Sequence, residues 1–157
     1  VVRKIGHPQF REFAVGALAE GEVVVLDKHV FERSQVEPDQ LQEVIAEETK
    51  RLLAYQAKFE RPERPNLADK AVVVVDDGLA TGATTEAAVR SAKKQGARQV
   101  TVAVPVASQS GLARLAKVSD QVVALIVDPH FQAVGQYYWS FHQTSDEEVL
   151  EVLAGRS

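Results

Sequence analysis

Two adjacent carboxylates, Asp76 and Asp77, stand where an unbroken β-branched run, Val72-Val73-Val74-Val75, stops. A stretch of small residues follows them: Gly78-Leu79-Ala80-Thr81-Gly82-Ala83-Thr84-Thr85. In an open α/β sheet the carboxyl ends of the strands form the ligand crevice, so both acids belong where ligands bind. Gly82 and the small side chains of Ala80 and Ala83 let several backbone N–H groups face one point. Thr81, Thr84 and Thr85 add hydroxyl donors, and the start of a helix adds positive potential. Such a bend is a cradle for a phosphate monoester. Carboxylates beside it would repel that phosphate unless they were aimed at something else, such as sugar hydroxyls or the water shell of a divalent cation. The ligand implied therefore carries a phosphate at one end and a diol in its middle. The pattern is neither the Gly-x-Gly-x-x-Gly dinucleotide fingerprint nor a Walker loop, which needs Gly-Lys-Ser/Thr. A plainer alternative has the acids capping a turn and the threonines merely starting a helix.

The elements that must hold these residues follow from periodicity. The run at 72–75 has no polar alternation and reads as a strand buried on both faces of a parallel sheet. Residues 100–106 and 122–127 are further strand-length apolar runs, separated from it and from each other by helical segments at 85–95 and 111–117. Gly96 is placed to stop the first of these helices. Strand, helix, strand, helix, strand is a βαβ series, which predicts an open α/β sheet with right-handed crossovers. Upstream, 13–18 and 23–26 flank a Glu20-Gly21 turn and read as a hairpin. A long helix spans 38–59, with Pro38 in its first turn and Leu41, Ile45, Leu52, Tyr55 and Phe59 forming one buried stripe. Residues 60–70, with Pro62 and Pro65 among charges, read as a linker.

Composition narrows the chemistry. The chain has 157 residues, 45% hydrophobic and 25% charged, as expected of one ordinary globular domain spanning 1–157. No apolar run approaches the roughly 20 residues a bilayer requires, and Val1-Val2-Arg3-Lys4 lacks the pattern of a secretory signal. A cytoplasmic protein is expected. Cysteine is absent, which excludes disulfides, thiolate metal sites and a cysteine nucleophile. A net charge of -4 argues against a protein whose task is to wrap nucleic acid phosphates. The four histidines, His7, His29, His130 and His142, show no metal-ligand spacing, and no Gly-x-Ser-x-Gly elbow is present. The lack of Met and the abrupt apolar start suit either a segment of a longer reading frame or removal of an initiator.

The stretch from Val72 to Thr85 resembles the signature for 5-phosphoribosyl 1-pyrophosphate in type I phosphoribosyltransferases, differing mainly at Gly78, where most members carry an apolar residue. The resemblance implies an open, mainly parallel sheet with helices on both faces, a long helix insertion and a small C-terminal hood. It implies that Asp76 and Asp77 hold the ribose 2- and 3-hydroxyls, and that Ala80, Thr81, Gly82, Ala83 and Thr84 wrap the 5-phosphate. Magnesium would be bound chiefly by pyrophosphate and ribose oxygens, with Asp76 and Asp77 reaching it through water. Arg3-Lys4 resembles a basic pair that ends an early strand in this family, with Lys4 on the pyrophosphate or 5-phosphate side of the donor. Asp128-Pro129-His130-Phe131-Gln132-Ala133-Val134-Gly135, followed by Tyr137-Tyr138, resembles the hood, with Phe131 as the residue that stacks on the acceptor base. The alternation of Phe131, Tyr137, Trp139 and Phe141 equally suits strand packing. Ahead of Arg3-Lys4 the family places a strand and a short pyrophosphate loop, which this chain lacks, and Ser140 replaces an acid that often follows the hood aromatics.

The activity implied is magnesium-dependent transfer of a 5-phosphoribosyl group to a nitrogenous base, with Asp76, Asp77 and Lys4 as catalytic residues and Arg3 beside them in donor binding. The rival is a regulatory module that binds the same donor or a nucleotide without turning it over. Partners are expected to be small molecules rather than nucleic acid or membrane. A homodimer is expected from the long helix and an uncovered sheet edge.

Overall fold

In the computed structural model, which describes residues 1–11, 13–34, 36–59 and 66–155, the β-branched run at 72–75 forms β4 (Ala71–Val75). Three chain segments precede it as an antiparallel sheet: β1 (Val2–Gly6), β2 (Ala14–Ala19) and β3 (Val23–Leu26), in that spatial order. The hairpin turn at Glu20-Gly21 has Gly21 at φ 77°, a left-handed conformation that glycine adopts without a Cβ penalty. Two helices come next, α1 (Lys28–Ser34) and α2 (Pro38–Phe59). After β4 the chain alternates through α3 (Ala83–Lys94), β5 (Gln99–Ser108), α4 (Gln109–Leu115) and β6 (Gln121–Asp128). Both β4–β5 and β5–β6 are parallel, as the strand, helix, strand spacing requires. A short 3-10 turn (Val134–Tyr137) and α5 (Asp146–Leu153) end the described chain. Of the linker expected at 60–70, residues 60–65 lie outside the described ones.

α3 is the central element, because it packs on the antiparallel sheet with one side and on the parallel sheet with the other. Ala87 joins Ala17, Ala19, Val23 and Val25 in one cluster, while Val89 and Ala92 join Val100, Val102 and Val104 in another. The opposite face of β1–β3 buries Ile5, Val15 and Leu18 against Leu41, Val44 and Leu52 of α2. The stripe predicted on α2 is therefore packing, and the antiparallel sheet carries helices on both faces. Glu48, an unforeseen member of that buried face, is paired with Arg3 at 2.9 Å and with Arg51 at 2.7 Å.

The parallel sheet differs from the expectation that residues 72–75 are buried on both sides. Val72 and Val74 pack with Leu115, Val122 and Ala124 on the face that α3 and α4 cover. Val75 and Leu125, on the other face, are 74% and 81% exposed. α3 and α4 lie on the same side of β4–β6, so alternate residues of an all-apolar strand face solvent. Among the described residues, no helix is long and apolar enough to cross a membrane.

Candidate functional site

The ladder between β4 and β5 stops at Val75 and resumes as a single bridge between Leu79 and Ala107. Asp76 and Asp77 occupy the gap. Asp76 is held tightly: its Oδ2 accepts the Thr85 hydroxyl at 2.7 Å and its Oδ1 accepts the Asp77 N–H at 3.1 Å. Asp77 is exposed, and its backbone carbonyl accepts the Tyr138 hydroxyl at 2.7 Å. Its carboxyl is pushed above the ordinary aspartate value by partial desolvation and by the Asp76 charge, against the pull of the Asp77 and Gly78 amides. The two acids thus differ in setting, Asp76 oriented by a hydroxyl and Asp77 open to solvent.

The bend after them is pinned from below. Leu79 donates its N–H to Val106 at 2.9 Å and accepts from Ser108 N–H at 2.8 Å, with its side chain buried. The Ser108 hydroxyl donates to the Ala80 carbonyl at 2.6 Å and accepts the Gly111 N–H at 2.9 Å, so it caps α4 and anchors the bend together. Gly82 has φ 73°, and a Cβ there would lie 2.4 Å from Leu115. A Cβ on Gly111 would lie 2.7 Å from the Ala80 carbonyl oxygen. Both glycines are required by the close approach of bend and helix. Gly82 immediately precedes α3, whose first N–H groups have no partner within the helix. Among the described residues, the amides of Thr81, Gly82, Thr84 and Thr85 donate to no protein group. That arrangement suits an anion with several oxygens.

Gly78, the position where the sequence departs from the family pattern, has a local reason. A Cβ there would lie 2.8 Å from Val134 and 2.9 Å from Val106. The glycine lets the 3-10 turn close onto β5, which brings Tyr138 within reach of the Asp77 carbonyl.

The remaining sequence-predicted residues divide. Arg3 and Lys4 lie in the middle of β1 rather than at its end. Arg3 faces α2, paired with Glu48 and lying 5.0 Å from the Tyr55 ring centre, so it is not brought to the acid pair. Lys4 is exposed and shares the α3 face of β1 with Val2. Ser91 Oγ and Lys94 Nζ reach the Glu20 and Gly21 carbonyls at 2.7 and 2.6 Å, which fixes the hairpin turn at the far end of α3. β1 therefore runs toward the α3 start, and Lys4 stands nearer the bend than Val2 does. Phe131 is half-buried and stacked on Tyr137, with ring centres 5.7 Å apart at 21°. Tyr137 donates to Asp128 at 2.6 Å, and burial with that carboxylate pushes its phenol up to about 12. Of the hood aromatics, Tyr137 lies on the 3-10 turn, and Phe131, Tyr138, Trp139 and Phe141 flank it in non-strand segments. His130 donates its backbone N–H to Asp128 at 2.7 Å, and His7 is held by Ser34 and Gln9 away from this region.

Sequence reasoning missed Ser108 and Arg114, placed Gly111 only at a helix start, and placed Val134 and Tyr138 in the hood without their contacts to Gly78 and the Asp77 carbonyl. Ser108 had a signal, a serine three residues before Gly111 at a helix start. The others touch the bend only through tertiary contacts.

The chain matches the phosphoribosyl transferase domain family over residues 11–142. A protein of Mycobacterium tuberculosis, provisionally named a phosphoribosyl transferase, is 41% identical over 157 residues, covering 98% of this chain and 35% of its own length. The chain thus spans about a third of the curated relative it matches. The crystal structure of the protein TT1426 from Thermus thermophilus superposes with a TM-score of 0.73 at 38% identity, covering 98% of this chain and 73% of that one.

The fit at Gly78 can be tested by stability. Gly78→Ala should cost about 1–3 kcal/mol in urea unfolding through overpacking, and adding Val134→Ala should return part of that loss. Additive losses in the double variant would contradict the close packing described.

Proposed function

The chain belongs to the phosphoribosyl transferase domain family, and we propose that it transfers a 5-phosphoribosyl group from 5-phosphoribosyl 1-pyrophosphate to a nitrogen of a base. The observation that carries this reading is the pairing of an oriented carboxylate, Asp76, with a bend in which, among the described residues, the amides of Thr81, Gly82, Thr84 and Thr85 donate to no protein group. The bend takes the 5-phosphate at residues 80–84, and Asp76 and Asp77 accept hydrogen bonds from the ribose hydroxyls. Bond breaking between the anomeric carbon and the pyrophosphate oxygen leaves positive charge on the ring, which the same carboxylates favour. The new bond forms from the anomeric carbon to the base nitrogen. Asp77, whose carboxyl is pushed above the ordinary aspartate value by partial desolvation and by its neighbour's charge, is the candidate acceptor for the proton that nitrogen sheds. Lys4, from β1, serves the leaving pyrophosphate, and Phe131 stacks on the base. Positioning and charge stabilisation supply most of the effect.

Magnesium fits this donor set as an ion delivered with the ligand. Among the described residues there is no group of three or more His, Cys, Asp or Glu that could cage a metal, whereas two neighbouring carboxylates suit an ion that keeps its waters and takes phosphate oxygens. Asp76 and Asp77 would hold it through water, and the bound ion would neutralise charge on the pyrophosphate.

Calorimetric titration with the donor and magnesium should show binding, and pyrophosphate release should follow with at least one of a panel of bases. Asp76→Asn and Asp77→Asn should each weaken donor binding about 10- to 100-fold, as loss of a charged hydrogen bond does, and chelating magnesium should weaken it further. Binding without release for any base would make the chain a donor-binding module, and no binding would overturn both readings. Pairing into a homodimer belongs to the same proposal, supported by the open apolar face around Val75 and Leu125. Light scattering should return twice the chain mass, and monomer mass alone would end that part of it.

A further inference from the structure

We propose that Arg114 of α4 is a positioning residue for the phosphate bend, acting through Glu86 on the first turn of α3. This inference rests on the reading of the bend as a phosphate cradle.

α4 presents Gly111, Arg114 and Leu115 on one face, the i, i+3, i+4 spacing of a helical stripe. Gly111 lies under the Ala80 carbonyl and Leu115 under Gly82. Arg114 reaches past them: its Nε donates to Glu86 Oε2 at 2.5 Å, its Nη1 donates to Asp27 Oδ2 at 2.6 Å, and the same Nη1 makes a long contact with the Thr81 carbonyl at 3.5 Å. A planar guanidinium can serve two carboxylates at a fixed angle, which an ammonium cannot. Asp27 uses its other oxygen to accept the Val30 N–H at the start of α1, and the other oxygen of Glu86 takes Arg90 at 2.7 Å. The cluster thus joins the end of β3, the start of α1, α3 and α4.

Glu86 is the link to the bend. Its side chain is 8% exposed, and its backbone N–H donates to the Gly82 carbonyl at 2.8 Å. Burial works against its charge, but hydrogen bonds from Arg114 and Arg90 outweigh that and hold the carboxyl below the usual glutamate range. Thr85, the next residue back, donates to Asp76. A displacement of Glu86 therefore moves both the amides that face the anion and the hydroxyl that aims the acid. Arg114 also shares with Arg90 the offsetting of a buried carboxylate close to a bound dianion.

The test compares donor affinity in variants that circular dichroism shows to be fully folded at the temperature used. Arg114→Gln should raise the Kd for 5-phosphoribosyl 1-pyrophosphate with magnesium about 10- to 100-fold, the cost of a small misplacement of binding groups. Ribose 5-phosphate should lose a similar factor, because the defect lies at the bend. Arg114→Lys should not restore affinity. Should Arg114→Gln fail to fold, Glu86→Gln carries the test, with at least about a tenfold loss expected from the weakened link. Unchanged affinity in the folded variant, alongside wild-type binding, overturns the positioning role alone, as does full recovery with Arg114→Lys. A wild-type chain that binds neither ligand overturns this proposal together with the site reading.

Discussion

The interrupted ladder between β4 and β5 is the constraint on which the rest of the site depends. Pairing is regular through Val75 and Ala103, keeps a last bond from the Asp76 N–H to the Ala103 carbonyl at 3.4 Å, lapses over Asp77 and Gly78, and returns at Leu79 with Ala107. Residues released from a ladder can turn their side chains to the sheet end, yet they remain fixed because the strand resumes beyond them. The acids are thereby lifted into the crevice without becoming a loose loop. Leu79, fully buried, is the nail that keeps the excursion short.

A bend held that close to a helix tolerates no side chain at its contact points. Gly82 and Gly111 meet this need from opposite sides, and Gly78 meets it beneath the hood. The result is a bend seated on a dense apolar floor of Leu79, Leu115 and Val106. Electrostatics follow the same division. The crevice side carries the pair Asp76 and Asp77, while the supporting side carries Glu86 and Asp27 neutralised by Arg114 and Arg90. Each supporting acid is thereby aimed at a cationic partner.

α3 connects this site to both sheets, so the antiparallel hairpin is more than an appendage. Its α3-facing side buries Ala87 and, by strand alternation, also carries Lys4 beside Val2. The open face of β4–β6 stands in contrast: Val73, Val75, Val123, Leu125 and Val127 expose apolar surface that a parallel sheet ordinarily covers.

Local pattern alone determined much of this protein. The β-branched run, the helical stripe of α2 and the small-residue bend were legible because strand, helix and turn preferences act over a few neighbouring residues. The acid pair and the small-residue bend were legible as a candidate site for the same reason, since those residues are contiguous in the chain. What lay beyond reach depended on contacts between distant segments. Arg3 and Lys4 are neighbours in sequence, yet pleating sends one to α2 and the other toward α3, and only the packing of β1 decides which. Phe131 and Tyr137 suited an alternating strand as well as a hood, and the 3-10 turn that packs Val134 against Gly78 decided against the strand. Whether a four-valine strand is buried on one face or two was settled by where α3 and α4 came to lie. Arg114 had no local mark at all, because a side chain that supports a site from behind is defined by the two carboxylates it joins, 28 and 87 residues away in the chain.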